Sequence, residues 1–243
     1  MKRLAILSDM QIPYHDQRAL DNVLEFLVNE QFDYIYNVGD ELDAPQPSRW
    51  NKSMAGEYAG TLQKHIETNY YIQEQIALLS DNRYAIMRSN HVDRIETYIR
   101  RYAPAFGALD VLKIESLLGY DELGIQYFRQ PAQIAPGWVL AHGDEAGLIR
   151  TAGGTALSLA RKLGQSVVCG HTHRAGIQHE HPYFNGRTLR QLWGMEVGNL
   201  MDMKKAQYLK AGGANWQQAI GELVVDGRHV TPKLHFIQGG KIR

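Results

Sequence analysis

The chain has 243 residues, 26 basic and 26 acidic side chains, and a formal net charge of zero. That length suffices for a sizeable core, and the charge balance argues against a strongly basic nucleic-acid binder while leaving room for a local basic groove. The single cysteine, Cys169, excludes an intramolecular disulfide and, within an apolar run, reads as a small core residue.

In chain order, residues 4–7 form a short apolar run that suits a central strand covered on both faces. It ends in the polar cluster Ser8-Asp9-Met10-Gln11, and His15 follows soon after. Residues 16–30 carry apolar side chains at helical spacing, with Asp16 placed to cap the first turn. Residues 32–38 read as a second strand, ending in Gly39-Asp40-Glu41-Leu42-Asp43. A proline-containing loop over 44–53 leads into a helical composition over 54–80, from which Arg49, Trp50, Lys52 and His65 stand either as substrate contacts or as a solvated face. Residues 84–87 predict a third strand, followed by Arg88-Ser89-Asn90-His91-Val92-Asp93-Arg94 and a helix through Arg101. A further helix is predicted over 109–118, and short strands over 126–128, 133–135 and 138–141. The last of these runs into His142-Gly143-Asp144. A helix over 155–163 precedes the strand 166–169 and then Gly170-His171-Thr172-His173.

Beyond His173 the pattern turns to strands. Asn185-Gly186 between 177–184 and 187–193 predicts a hairpin, with a separate strand over 196–200. Residues 201–216 read as a loop, 218–225 and 228–237 as a second hairpin about Asp226-Gly227, and 239–243 as a frayed tail. No repeat, low-complexity tract or linker divides the chain, so one domain over 1–243 is expected, with a helical rim insertion at about 44–80. No run approaches the roughly 18 apolar residues of a membrane span, so a soluble, cytoplasmic protein with no membrane partner is expected.

Each strand-end cluster offers metal-ligand side chains, and carboxylates at the carboxyl ends of central strands are where open α/β sheets place their chemistry. His-x-His alone is a weak signal. Five clusters in order, Asp9-x-Gln11, Gly39-Asp40-x-x-Asp43, Asn90-His91, His142-Gly143 and Gly170-His171-x-His173, are a strong one. This order and spacing resemble the calcineurin-like metallophosphoesterases over residues 1–200. Ser-Asp-x-x-Ile-Pro-Tyr-His-Asp at 8–16 and Asn-Trp-Gln-Gln at 215–218 look most like the small bacteriophage and prophage members.

The resemblance implies a four-layer α/β/β/α sandwich of two mixed sheets. It implies two divalent cations, manganese before magnesium, nickel, iron or zinc. Asp40 would bridge them, Asp9, Gln11 and His173 would complete one site, and Asn90, His142 and His171 the other. His91 would stand by the leaving group as general acid or charge stabiliser, with Asp43 orienting it. Gln11 replaces the usual His, an exchange that favours manganese or magnesium over zinc; manganese-dependent ADP-ribose/CDP-alcohol pyrophosphatases share it, and a role through water competes with direct ligation. Ser89 replaces a Gly, and Val92 an acidic residue whose role Asp93 would take over. The substrate implied is a phosphoester, either a nucleotide, a cyclic nucleotide or a nucleic-acid end. A phosphodiesterase is favoured because His91 is kept. A phosphomonoesterase and a catalytically silent binding scaffold are the alternatives, and the protein-phosphatase branch is disfavoured because Ala44 stands where it carries an arginine. His15, Asp144, Arg174 and Asn199, beside motif residues, are either substrate contacts or ordinary loop residues. His179, His181, His229 and His235 read as structural or exposed.

Overall fold

The computed structural model describes residues 1–49, 52–53, 60–188, 191–205 and 214–243. A seven-stranded sheet is built about β1 (Lys2–Leu7). On one side β1 pairs in parallel with β2 (Tyr34–Asn37), which leads to β3 (Tyr84–Met87) and β4 (Gln126–Phe128), also parallel. On the other side it pairs antiparallel with β12 (Ala219–Asp226), followed by β13 (His229–Gln238) and β14 (Lys241–Ile242). The second sheet has the order β5 (Ala132–Ala135), β6 (Trp138–Leu140), β7 (Ser166–Cys169), β11 (Leu192–Val197), β8 (Ala175–Glu180), with β6, β7 and β11 mutually parallel. Both sheets are mixed.

The alternation of side chains along each strand sets the layers. Ala5 and Leu7 of β1 join the core under helices α1 (Gln17–Glu30) and α2 (Leu62–Leu79), whereas Leu4 and Ile6 join the core between the sheets. Trp138, Leu140 and Val168 of the second sheet face the same central core, and Val139, Val167 and Cys169 point away, against α5 (Gly154–Leu163). The result is the α/β/β/α sandwich. Asp16 caps α1, its carboxylate accepting the Ala19 N–H at 3.2 Å. Thr61 caps α2 through the Lys64 N–H at 3.2 Å.

A buried polar chain fastens α2 to the sheet. The Gln73 amide donates to Asn69 at 3.0 Å and accepts from the Tyr84 hydroxyl at 2.6 Å, and Asn37 donates to that hydroxyl at 3.3 Å. Asn37 in turn accepts the Gly39 N–H at 3.0 Å, so the polar chain ends in the turn that presents Asp40.

Several expectations change. The strand partner of β8 is β11, which runs through 192–197, so of the separate strand expected over 196–200 only 196–197 is strand, and it ends the same ladder. Tyr183–Phe184 and Arg187–Thr188 form only a two-residue ribbon, β9 and β10, about Asn185-Gly186. The helix expected over 109–118 is broken into a 3-10 turn at Asp110–Leu112 and a short α4 (Ile114–Leu117). The expected frayed tail is strand β14, joined to β13 by Gly239-Gly240, with the Ile242 N–H bonded to Asn22 at 2.7 Å. Trp50, the first part of the 54–80 helix, and 206–213 of the 201–216 loop lie outside the described residues.

Candidate metal centre

The loops leaving the carboxyl ends of β1, β2 and β3 in one sheet and of β6 and β7 in the other face each other across the sandwich. Asp9, Asp40, Asn90-His91, His142 and His171–His173 stand two to four residues past those strands. The chain bends sharply there: Asp9, Gln11, Asp40, His171 and His173 all have φ between 45° and 65°. A non-glycine residue in that region costs about 1–2 kcal/mol. Backbone bonds across the loops hold the bends, with Gln11 N–H on Asp40 O at 2.8 Å and Asp9 N–H on Gly39 O at 3.1 Å. Gly170 is required by close approach, because a Cβ there would strike Ser8 Oγ, the Asp9 carboxylate and Val38 Cγ2.

Asp40, His142 and His171 bring ligand atoms within 4.8 Å of one another, an Asp/His cluster able to hold a metal ion. His142 is wholly buried and donates Nδ1–H to the Val38 carbonyl at 2.8 Å. In the neutral ring its Nε2 is therefore a lone pair, yet Nε2 faces two acceptors, Asn90 Oδ1 at 2.8 Å and Asp40 Oδ2 at 3.5 Å. A second proton or a cation on Nε2 satisfies that arrangement, as does an Asn90 amide turned over to donate. Asp9 Oδ2 accepts the His171 N–H at 3.0 Å and the Ser8 hydroxyl, while Asp9 Oδ1 lies 3.3 Å from His173 Nε2 and has no hydrogen-bond donor. His173 Nδ1 is likewise buried without a partner.

The electrostatics are those of two carboxylates confined together. Burial and then the neighbouring Asp40 charge raise Asp9 to about 7. Asp40 is held well below the carboxylate range: burial opposes its charge, but His91 and His142 outweigh it. Burial likewise opposes charge on His142, and Asp40 with Asp9 overcomes it, raising the ring to about 10. His171 is lowered by burial and by His142, and His173 falls to about 3, chiefly through burial. His171 and His173, both lowered, stand beside crowded carboxylates that already draw a positive charge onto His142; a divalent cation would supply that charge and relieve the carboxylate repulsion.

His91 donates Nδ1–H to Asp43 at 2.7 Å, and its Nε2 accepts from the Arg94 guanidinium at 2.9 Å. Arg94 also donates to the Asp43 carbonyl at 2.7 Å. The His91 N–H reaches Asp40 Oδ1 at 3.2 Å. Gln11 Nε2 lies 3.1 Å from Asp40 Oδ2, so its amide is at the cluster. Asp93 turns away from His91 to Arg88 at 2.8 Å, which also pairs with Asp144 at 2.6 Å. Asp144 thus finds a structural partner, and Asp93 does not stand in for the acidic residue replaced by Val92, whose side chain is in the core. Arg174 donates to the Ile149 carbonyl. Asn199 is buried and donates to the His173 carbonyl at 3.1 Å. His15 bonds Gln17 at 2.9 Å, apart from the cluster. His235 pairs with Glu222 at 2.8 Å and His179 packs on Trp193.

Three contributors were not among the candidate site residues. Glu196, wholly buried on β11, accepts the Thr155 and Ala156 N–H groups of α5 at 2.8 and 3.4 Å and the Thr172 hydroxyl at 2.8 Å. Trp216 packs its ring 4.3 Å from that of His173. Arg94 covers His91; its only sequence signal was its place in the Asn90-His91 block.

Comparison with known proteins gives the chain's family and fold. No family model matches the sequence. The chain is 38% identical to the gene 54 protein of Mycobacterium phage D29 and 37% identical to that of Mycobacterium phage L5, in each case over 99% of this chain and 95% of the relative. It belongs to the mycobacteriophage gene 54 protein family. Among solved structures it is similar to Vacuolar Protein Sorting 29 from Cryptosporidium parvum, with a TM-score of 0.52 and 14% identity over 100% of this chain and 94% of the other. Vps29 from Chaetomium thermophilum aligns with a TM-score of 0.50 and 11% identity over 98% and 93% of the two chains. The fold of this chain is thereby the metallophosphoesterase fold. No described helix is long and apolar enough to cross a membrane.

Proposed function

We propose that the chain is a dimetal phosphoesterase that hydrolyses phosphodiesters of the nucleotide or nucleic-acid class. The observation that carries the reading is the meeting of buried Asp9, Asp40, His142 and His173 with His171 at the ends of parallel strands from both sheets, where His142 Nε2 faces Asn90 and the Asp40 carboxylate. Asp40 would be shared between two cations, with Asp9, Gln11 and His173 holding one and Asn90, His142 and His171 the other. The Gln11 amide, turned over, presents Oε1 where Nε2 now meets Asp40. That hard, neutral oxygen favours manganese or magnesium over zinc. Two bound divalent cations would neutralise the phosphoester and lower the pKa of an attacking water.

The chain's own residues supply the rest. Asp43 fixes the His91 tautomer by accepting Nδ1–H, leaving Nε2 as the proton-carrying atom. Arg94 guards Nε2 until an anionic substrate draws its guanidinium to a phosphate oxygen. His91 Nε2 then takes up a proton and passes it to the leaving alkoxide. An alkoxide leaving group benefits from that acid, and the retention of His91 is why the diester is favoured.

The test is hydrolysis of bis-p-nitrophenyl phosphate against p-nitrophenyl phosphate after stripping metal and restoring manganese, magnesium, nickel or zinc. Manganese-dependent cleavage that prefers the diester is expected. Preference for the monoester replaces the reading with a phosphomonoesterase. No activity together with no stoichiometric metal binding replaces it with a binding scaffold.

A further inference from the structure

Beside the candidate metal centre runs a cleft of about 360 Å³ that begins at Asn90 and follows α3 (Asp93–Tyr102) outward. Arg94, Tyr98 and Tyr102 are spaced four apart, so they share one face of that helix. At 1.5 Å rise per residue the two tyrosines stand about 6 and 12 Å beyond Arg94 along the axis. Arg94 itself touches His91, so the face is continuous with the reacting end.

Tyr98 and Tyr102 are 47% and 52% exposed, and their rings pack 4.8 Å apart at 49°. Two large aromatics on a surface, supported by each other and lining a cleft, present ring faces to a ligand. The charge beside them is one-sided. Arg49, Lys52, Arg94 and Arg101 line the cleft against a single carboxylate, Asp93, among the described residues. Asp93 is compensated by Arg88 on its other side. Lys52 and Arg101 hold their cations 5.3 and 5.4 Å from the Tyr102 ring. A chain of zero net charge has concentrated cations here. Alternating cations and aromatic faces match a chain of phosphates and bases.

We propose that this cleft binds the nucleoside next to the scissile phosphate, with its base on Tyr98 and Tyr102 and the adjoining phosphate held by Lys52 and Arg101. The inference rests on the phosphodiesterase reading for which phosphate is scissile, but not for binding. The ligand class is a nucleoside phosphodiester, supplied either as a single nucleotide ester or as a single strand.

Three substrates test it with the manganese-loaded protein: bis-p-nitrophenyl phosphate, which has no nucleoside, p-nitrophenyl thymidine 5′-phosphate, and hexathymidylate. Binding of labelled hexathymidylate is followed separately by fluorescence anisotropy. Combined Tyr98→Ala and Tyr102→Ala substitution is expected to raise KM for the thymidine substrates about tenfold relative to bis-p-nitrophenyl phosphate, the scale of one lost stacking contact. Tyr98→Phe with Tyr102→Phe restores it, because the ring face is kept. Lys52→Ala and Arg101→Ala are expected to weaken hexathymidylate binding and flatten its salt dependence. Loss confined to hexathymidylate identifies the strand as the ligand, and loss confined to the thymidine ester identifies the single nucleotide. An equal change with all three substrates, or failure of the phenylalanine pair to restore binding, overturns the proposal. If the unaltered protein cleaves no diester yet binds hexathymidylate in a tyrosine-dependent way, the catalytic reading fails and the cleft stands. If it binds neither thymidine compound, the cleft proposal fails whatever happens to bis-p-nitrophenyl phosphate.

Discussion

Glu196→Ala separates the support of the candidate site from its chemistry. Helix α5 begins at Gly153, which has φ 79° and no side chain to cap the first turn. The cap comes instead from β11, through the Glu196 carboxylate on the Thr155 and Ala156 N–H groups. The other oxygen takes the Thr172 hydroxyl at 2.8 Å, between His171 and His173. A lost cap costs about 1 kcal/mol and a charge-assisted hydrogen bond about 1.5–3 kcal/mol. Because these overlap at one carboxylate, about 3 kcal/mol is expected for Glu196→Ala and roughly half for Glu196→Gln, which keeps one acceptor. At about 2–4 °C per kcal/mol for a chain of this size, Glu196→Ala should melt some 6–12 °C lower. Thermal unfolding of the metal-free protein gives that value, and manganese titration reads the second effect, weaker binding as the loop carrying His171 and His173 loses its tie. Melting within about 2 °C of the unaltered protein, with unchanged metal affinity, would refute the reasoning.

His91→Ala should lower turnover of a poor-leaving-group diester by about 10²–10⁴-fold while metal content, measured by atomic absorption, is unchanged; loss of metal would make His91 a ligand instead. Gly194→Ala should abolish soluble expression or cost more than about 3 kcal/mol, because its Cβ would overlap Leu157 N and sit 2.6 Å from the Ala156 carbonyl carbon of α5; a urea midpoint near that of the unaltered protein would show that the helix can shift. Glu222 is held below its ordinary value although burial opposes its charge, because Arg3 and His235 bond to it. A carboxylate lowered in the fold contributes stability above its unfolded pKa of about 4.5 and loses it as pH falls through the folded value. Glu222→Gln should therefore be less stable than the unaltered protein at pH 7 and approach it below about pH 4; a constant difference across that window in urea unfolding would rule this out.

Much of the layer order was legible because strand parity is a local property. Leu4 to Leu7 is apolar on both faces, and the two faces enter two different cores. The ligand-type residues were legible because each follows a strand directly. What brings them together was not. The left-handed φ of Asp9, Gln11, Asp40, His171 and His173 is imposed by bonds between loops far apart in sequence. Glu196 lies in a stretch that reads as ordinary strand, and its role exists only because β11 runs beneath the first turn of α5. Arg94 closes the Arg88–Arg94 cluster with no role of its own until its guanidinium is seen on His91 Nε2. β14 was the avoidable miss, since Gly239-Gly240 between residues of strand type is itself a hairpin signal.

The neighbours of β1 set an order on the birth of the protein. β1 is bounded by β2 on one edge and by β12 on the other, with Lys2 opposite Val225 and Ile6 opposite Gly221. Until residues 219–226 leave the ribosome, the middle strand of the larger sheet is an open edge, apolar on both faces. At a synthesis rate of about 5–20 residues per second, that edge waits on the order of tens of seconds for its partner. An unpaired apolar strand is a template for pairing with another chain. Early release of the nascent chain, even one lacking only its last two hairpin arms, would therefore yield aggregates rather than a weakened fold, although every candidate metal ligand had already been made.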